Sequence, residues 1–279
     1  MQHIHVQRAL AICVLVGFAN GYMSAFVVLR KSALQVGSLS YCLLPGVAVG
    51  VLLFGMAQFS IFVGALFAAL FAGLGSLMLS RTSRIGQETA LAILYTTAFA
   101  AGIILFQFVP VHIEVDEFLF GNILFASAAD LRTVFWVSSI SLVVLTAIRR
   151  PLILTLFDPS SAQVVGIPVR LMNYLLFSLL TLVLVASLQA VGSMLALGLL
   201  VTPAATVYLL TDRIDVLFWG GAVLGVLAAV GALLLSHHFD LPSGACIILT
   251  LTSMFLLAWA FSPKYGLLSY WIARFSDGE

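Results

Sequence analysis

Long apolar runs separated by short charged connections dominate this sequence. Nine of the runs are close to 20 residues long, the length at which an α-helix crosses the hydrocarbon core of a bilayer. Hydrophobic residues make up 62% of the 279-residue chain and charged residues only 8%, whereas a soluble domain carries about 25% charge. This composition excludes a soluble enzyme, a disordered protein and a nucleic-acid-binding protein, which needs a basic surface.

The runs predict an all-α, polytopic membrane helical bundle of about eight to nine transmembrane helices, forming one transmembrane domain over residues 1–279. Helices satisfy every backbone polar group in lipid, whereas barrel strands would alternate instead of running apolar. Short runs near residues 118–130 and 190 could also be re-entrant segments or half-helices. The predicted spans are 9–29, 39–56, 59–79, 89–109, 131–148, 171–189, 191–210, 217–236 and 244–262.

The basic residues predict how the bundle is oriented. Ten of the twelve lie in alternate connections and at the C-terminal end, and only Arg8 and Arg132 lie on the other side. Because Lys and Arg accumulate in cytoplasmic connections, the N-terminus is expected outside and the C-terminus inside.

The longest cytoplasmic connection, about residues 149–170, contains signals for a short helix. Asp158 followed by Pro159 is typical of a helix start, with the aspartate as N-cap and proline at the first helical position. Gly166 and Pro168 then favour its end. The pattern predicts a helix of about two turns on the cytoplasmic face, with an ordinary connecting loop as the alternative.

Pairs of glycines at four-residue spacing recur in three spans. Such pairs let helix backbones approach closely in lipid, so they predict a tightly packed bundle. Two prolines, Pro45 and Pro203, fall inside spans, where proline removes a ladder hydrogen bond and kinks the helix. The glycine pairs are Gly17/Gly21, Gly46/Gly50 and Gly221/Gly225.

Several kinds of chemistry are missing from the sequence. Neither lysine, Lys31 or Lys264, follows a glycine, so the chain has no phosphate-binding loop of the GxxxxGK[ST] type. Charged residues are nearly absent from the middle of the spans, where an ion-coupled carrier usually places a carboxylate. The sequence therefore favours a permeation subunit without enzymatic activity of its own and without a bound cofactor, powered by another protein.

Five sequence blocks follow one another in a characteristic order. They are AFVVLRKSALQVGSLSYCLLPGVAVG (25–50), VDEFLFGNIL (115–124), FDPSSAQVVGIPVRL (157–171), LQAVGSMLALGLLVTPAATVYLL (188–210) and FDLPSGACII (239–248), the last followed by SPKYGLL (262–268). In these blocks the chain resembles the membrane permease of bacterial ABC importers for zinc, manganese and iron, and the resemblance covers nearly the whole chain.

The resemblance implies a multi-pass permease of the bacterial cytoplasmic (inner) membrane that moves a divalent metal or a metal chelate. It implies a second permease copy, in a homodimer or heterodimer, with the path between the two. Cytoplasmic ABC ATPases and an extracytoplasmic substrate-binding protein would complete the importer. The short cytoplasmic helix would be the segment that couples to the ATPase, with Asp158, Ala162 and Gly166 in that contact.

The chain departs from the family pattern at two positions before the LPG motif. The family usually carries an aspartate there and a histidine four residues later, which share a helix face and suit a divalent metal. Here Gly37 and Tyr41 occupy these positions, and Cys42 is one residue out of register. Tyr41, Cys42 or backbone carbonyls could supply ligands, the cargo could be a chelate, or a different partner permease could retain the ligands. A stand-alone metal or small-solute carrier or channel, and a non-transporting scaffold or sensor subunit, remain alternatives.

Two outer connections combine imidazole and carboxylate groups, which together suit Zn²⁺ or Mn²⁺. They could form an electronegative entrance that attracts cations. Equally, they could be solvated loops that contact the binding protein. One group is His112, Glu114, Asp116 and Glu117, and the other is His237, His238 and Asp240.

Overall fold

All the regular secondary structure is helical in the part of the chain that the structure, a computed structural model, describes. The described residues are 2–55, 57–109, 123, 126–239, 241–262 and 266. Their helices are α1 (Gln2–Leu29), α2 (Ala33–Phe54), α3 (Gln58–Thr82), α4 (Gln87–Phe106), α5 (Ala128–Ala147), α6 (Arg149–Phe157), α7 (Pro159–Val164), α8 (Val169–Val191), α9 (Ser193–Leu210), α10 (Ile214–Phe239) and α11 (Ser243–Phe261).

Nine of the described helices, all except α6 and α7, are long and apolar enough to span a membrane. This confirms the predicted all-α bundle and its upper count of spans. Helix α2 begins at Ala33, six residues before the predicted start of the span. The polar residues at its beginning suggested a connection, but the Ser38 hydroxyl donates a hydrogen bond of 2.8 Å to the Leu34 carbonyl inside the helix.

Helix α1 lies at the centre of the larger of two core clusters. It packs mainly against α10 and α9, and also contacts α5 and α8. Helix α2 instead packs on α3 and α4, and side chains of α8 contribute to the smaller cluster that they form. The spans therefore make a main bundle around α1 and a three-helix group, α2–α4, that is joined to it through α8 and α9.

The predicted close approaches occur at the glycine pairs. A Cβ atom on Gly21 of α1 would lie 2.3 Å from the carbonyl oxygen of Gly221 in α10, and one on Gly225 would lie 2.4 Å from that of Gly17. Helices α2 and α3 cross in the same way, since a Cβ on Gly46 would be 2.3 Å from the Gly64 carbonyl oxygen. Only glycine allows backbones this close, so these residues fix both crossings.

Hydrogen bonds between helices hold α1 against α8 and α9. The fully buried Asn20 donates through Nδ2 to the Ser187 hydroxyl at 2.9 Å. The Ser24 hydroxyl accepts the backbone N–H of Ala204 at 3.0 Å, next to Pro203 inside α9. Unsatisfied polar groups are costly in lipid, so these bonds favour one register of the three helices.

The connection between α5 and α8 contains two short helices instead of the single one predicted. Helix α7 lies where the sequence predicts it, and α6 precedes it. The sequence pattern does not predict α6, since Pro151 near its start is a residue that usually interrupts helices. Proline is tolerated there because it is the third residue of the helix, within the first turn, where backbone N–H groups have no intrahelical partner.

Candidate functional site

Gly37 and Tyr41 lie on one side of α2 and line the same small cavity, as their four-residue spacing predicts. The Tyr41 ring contacts Tyr95 and Phe99 of α4, with ring centroids 5.8 Å and 5.6 Å apart. Gly37 faces α9, because a Cβ atom there would lie 3.4 Å from Leu197 Cδ1. The other described residues lining this cavity are Ser40, Ser193, Met194 and Leu197, so none of the described residues brings a carboxylate or an imidazole to it.

Cys42 is directed to a different cavity. Its side chain is buried, with 1% exposure, and it lines an apolar cavity of about 680 Å³ among α2, α3 and α4. Phe67 and Phe71 of α3 and Leu94 of α4 contribute to the same wall. The Cys42 thiol therefore does not share the cavity of Gly37 and Tyr41, which agrees with its being one residue out of register.

The predicted outer groups are only partly within the described residues. His237 and His238 end α10 and are exposed, and the His238 ring contacts Phe239 with centroids 4.9 Å apart. Among the residues that the structure describes, no three or more His, Cys, Asp or Glu side chains come close enough to hold a metal ion. Direct metal binding here therefore stays a prediction. His112, Glu114, Asp116, Glu117 and Asp240 lie outside the described residues.

Asp158 is the N-cap residue of α7. Its carboxylate accepts hydrogen bonds from the Ser160 hydroxyl at 2.6 Å, the Ser161 backbone N–H at 3.0 Å, and the Ser161 hydroxyl. Hydrogen bonds from the Ser160 hydroxyl first, and then from Ser161, lower the pKa of Asp158 from 3.8 to about 2. The side chain is therefore a fixed negative charge at neutral pH.

Gly166 ends α7 in a Schellman motif. Its φ is +84°, a left-handed conformation that favours glycine. The Ile167 N–H donates to the Ala162 carbonyl at 2.9 Å, and the Gly166 N–H to the Gln163 carbonyl at 3.0 Å, which is the pairing that defines this motif. The predicted boundaries of the helix thus both have a structural cause.

The three residues predicted to contact a partner have different surroundings. Gly166 is exposed and Asp158 is half-buried, whereas Ala162 is fully buried against the chain itself, with 0% exposure. Ala162 therefore holds α7 in place instead of offering a surface. The apolar residues that do face outward here are Phe157, Val164 and Val165, which are 61%, 88% and 71% exposed.

Arg149, the first residue of α6, joins this segment to the main bundle. Its guanidinium pairs with Asp215 near the start of α10 and lies 4.7 Å from the centre of the buried Phe218 ring. The Phe218 ring in turn contacts Tyr22 and Phe26 of α1, with centroids 5.1 Å and 4.7 Å apart. Sequence reasoning missed this contact, since only the positive charge at the end of a span signalled it.

Comparison with known proteins identifies the family of the chain. The sequence profile of a family described as "ABC 3 transport family" matches residues 2–262. The chain belongs to this family. Its membership confirms the resemblance in the five sequence blocks and, with the nine spans, makes it a multi-pass protein of the bacterial cytoplasmic membrane.

Three known proteins match this chain almost end to end. The chain is 38% identical to the manganese transport system membrane protein MntC of Halalkalibacterium halodurans, over 97% of this chain and 92% of that protein. It is 34% identical to the manganese import system permease protein ScaB of Streptococcus parasanguinis, over 95% and 93%. The structure of PsaBC from Streptococcus pneumoniae in complex with Fab matches with a TM-score of 0.85 and 32% identity, covering 95% of each chain.

Proposed function

We propose that this ABC 3 transport family member is the permease subunit of an importer that carries a divalent metal, with manganese as the first candidate. The observation that carries the proposal is the end-to-end similarity to a manganese transport system membrane protein, at 38% identity, and to a manganese import permease, at 34% identity. Energy would come from a separate ATPase, because the sequence contains no phosphate-binding loop. A substrate-binding protein would deliver the metal from outside.

The ATPase would dock on a coupling surface made of Phe157, Asp158, Val164 and Val165. Exposed apolar side chains beside a fixed charge are typical of a protein contact site. Both ends of α7 are fixed, by the Asp158 cap and by the turn at Gly166. Arg149 links this surface to α10, so a movement of α7 would be transmitted to the main bundle.

The docking proposal is tested by adding one negative charge to the coupling surface. Val164→Asp should weaken binding of the cognate ATPase at least about tenfold and reduce uptake in proportion. The matched control is Gly86→Asp in the connection between α3 and α4, where an added Cβ meets nothing within 4 Å. If both variants bind the ATPase and transport like the wild type, the coupling surface is wrongly assigned.

The surroundings of Gly37 and Tyr41 favour a second version of the function. Because no carboxylate or imidazole of the described part of the chain lines their cavity, a bare metal would find no strong ligand among those residues. Either a chelated metal is the cargo, or a different partner permease contributes the ligands. In both cases the protein is still the permease of an ATP-driven importer, and only the ligands or the cargo of the path differ.

Restoring the aspartate and the histidine that the family usually carries tests whether bare metal passes this face of α2. If bare metal passes this face of α2, Gly37→Asp combined with Tyr41→His should change the rate of uptake or the selectivity among Mn²⁺, Zn²⁺ and Fe²⁺. Gly75→Asp on α3 is the matched control, because a Cβ there has nearly the same clearance from a leucine methyl, 3.5 Å against 3.4 Å at Gly37. An unchanged profile for every metal and for chelated iron would show that this face does not line the path.

A further inference from the structure

The turn between α8 and α9 is buried inside the protein. Gly192 alone connects the two helices, with a φ of +89°. The residues around it, Ala190, Val191 and Ser193, are 3%, 1% and 2% exposed. A connection between two spans normally reaches water, so this one needs its hydrogen bonds satisfied within the protein.

The start of α9 leaves donors without a side-chain partner. The first backbone N–H groups of any helix have no intrahelical acceptor, and Gly192 at the N-cap position has no side chain to cap them. The same end of a helix carries a partial positive charge. The start of α9 therefore favours an acceptor, and an anion over a cation.

Ser40 of α2 presents a polar group to the same place. Its side chain is 6% exposed, and its hydroxyl has no hydrogen-bond partner among the described residues. Ser40 and the first two residues of α9, Ser193 and Met194, line one cavity of about 10 Å³. That volume accommodates about one water molecule.

We propose that the cavity between Ser40 and the start of α9 binds one small hydrogen-bond acceptor, either a water molecule or a halide ion. The N–H groups at the start of α9 would donate to it, and the Ser40 hydroxyl would complete its surroundings. Buried polar groups almost always have a partner, and such an occupant gives one to both elements. We call this cavity the acceptor site.

The acceptor site also affects what the cargo would meet on this face of α2. Gly37 and Tyr41 line the same cavity, so the occupant adds a polar group where these two residues stand in place of the usual aspartate and histidine. This consequence rests on the proposed function, which has this face of α2 lining the path. The site itself depends only on the packing of α2 and α9, and it is tested without transport.

Removing the Ser40 hydroxyl affects the stability of the fold differently when the acceptor site is filled and when it is empty. A buried hydroxyl without a partner is unfavourable, so its loss is neutral or stabilising, whereas loss of a bonded hydroxyl destabilises. Ser40→Ala should lower the midpoint of thermal unfolding by about 2 °C or more. The control is Ser138→Ala in α5, whose hydroxyl is 2% exposed, also lacks a partner among the described residues, and lines neither cavity. A midpoint for Ser40→Ala that is unchanged or raised, as in the control, would overturn the proposal.

A high-resolution structure of the full chain with bromide in place of chloride identifies the occupant. An anomalous peak in the cavity assigns a halide, and an oxygen-sized peak without anomalous signal assigns a water. Either supports the acceptor site, and an empty cavity in the same map contradicts it. Gly37→Ala should remove the peak because its Cβ points at Leu197, 3.4 Å away, and narrows the space. Gly75→Ala should leave the peak in place.

Discussion

At the scale of single residues, Asp158 shows how one side chain can hold a docking element. Its cap does not change with pH in the neutral range, because its pKa of about 2 lies far below. A carboxyl whose pKa is lowered on folding stabilises the fold above its unfolded pKa. That contribution is lost only as the pH falls from about 3.8 towards about 2. Asp158 should therefore give ATPase docking no pH dependence between about pH 7 and about pH 5.

Two substitutions separate the cap of Asp158 from its charge. Asn is also a good N-cap and Ala is not. Asp158→Asn should keep slow hydrogen exchange at the amides of Ser161 and Ala162, whereas Asp158→Ala should speed it. Equal exchange rates in both variants would mean that the side-chain cap does not stabilise α7.

Arg149 makes two contacts of different strength. Asp215 is 81% exposed, so Asp215→Asn should cost only about 0–1 kcal/mol of unfolding free energy and less in high salt. Arg149→Met also removes the guanidinium from the face of buried Phe218, a contact of about 0.5–2 kcal/mol. Arg149→Met should therefore still destabilise in the Asp215→Asn background. If the second substitution has no cost there, the ring contact contributes nothing.

At the scale of helices, the crossing of α1 and α10 depends on glycine. Gly221→Ala would bring a Cβ to 2.6 Å from the Gly21 carbonyl oxygen, and such overpacking costs about 1–3 kcal/mol. Gly231→Ala on the same helix meets nothing within 4 Å and should be neutral or slightly stabilising. Thermal unfolding of both variants in one detergent compares them. Equal midpoints would contradict a crossing held by backbone contact.

The helices were predictable to the extent that the sequence contains periodic or compositional signals. Apolar length revealed the spans, glycine spacing revealed the crossings, and the Asp158-Pro159 pair with Gly166 revealed α7. The start of α2 was placed too late, since Gln35 and Ser38 resemble a connection although a helix accommodates them. Helix α6 was missed because Pro151 is tolerated only by virtue of its place in the first turn.

At the scale of the whole molecule, the sequence predicts the function but only part of the chemistry of the path. Family blocks indicated a permease, and the missing aspartate and histidine at Gly37 and Tyr41 were visible in the sequence. The cavity that Ser40 shares with the start of α9 was not, because it is formed by residues about 150 positions apart. The contact of Arg149 with Phe218 also exists only once α6 and α10 are packed together.

If this chain is the permease of an ATP-driven importer, it moves metal only when a separate ATPase drives it. This is measured as ⁵⁴Mn²⁺ uptake into proteoliposomes that contain the permease, with the cognate ATPase, binding protein and ATP each supplied or withheld. We expect accumulation only with the full set, and its reduction by Val164→Asp but not by Gly86→Asp. Equal uptake without the ATPase would instead indicate a stand-alone carrier. No uptake of manganese, zinc, iron or chelated iron with the full set would contradict a transport function.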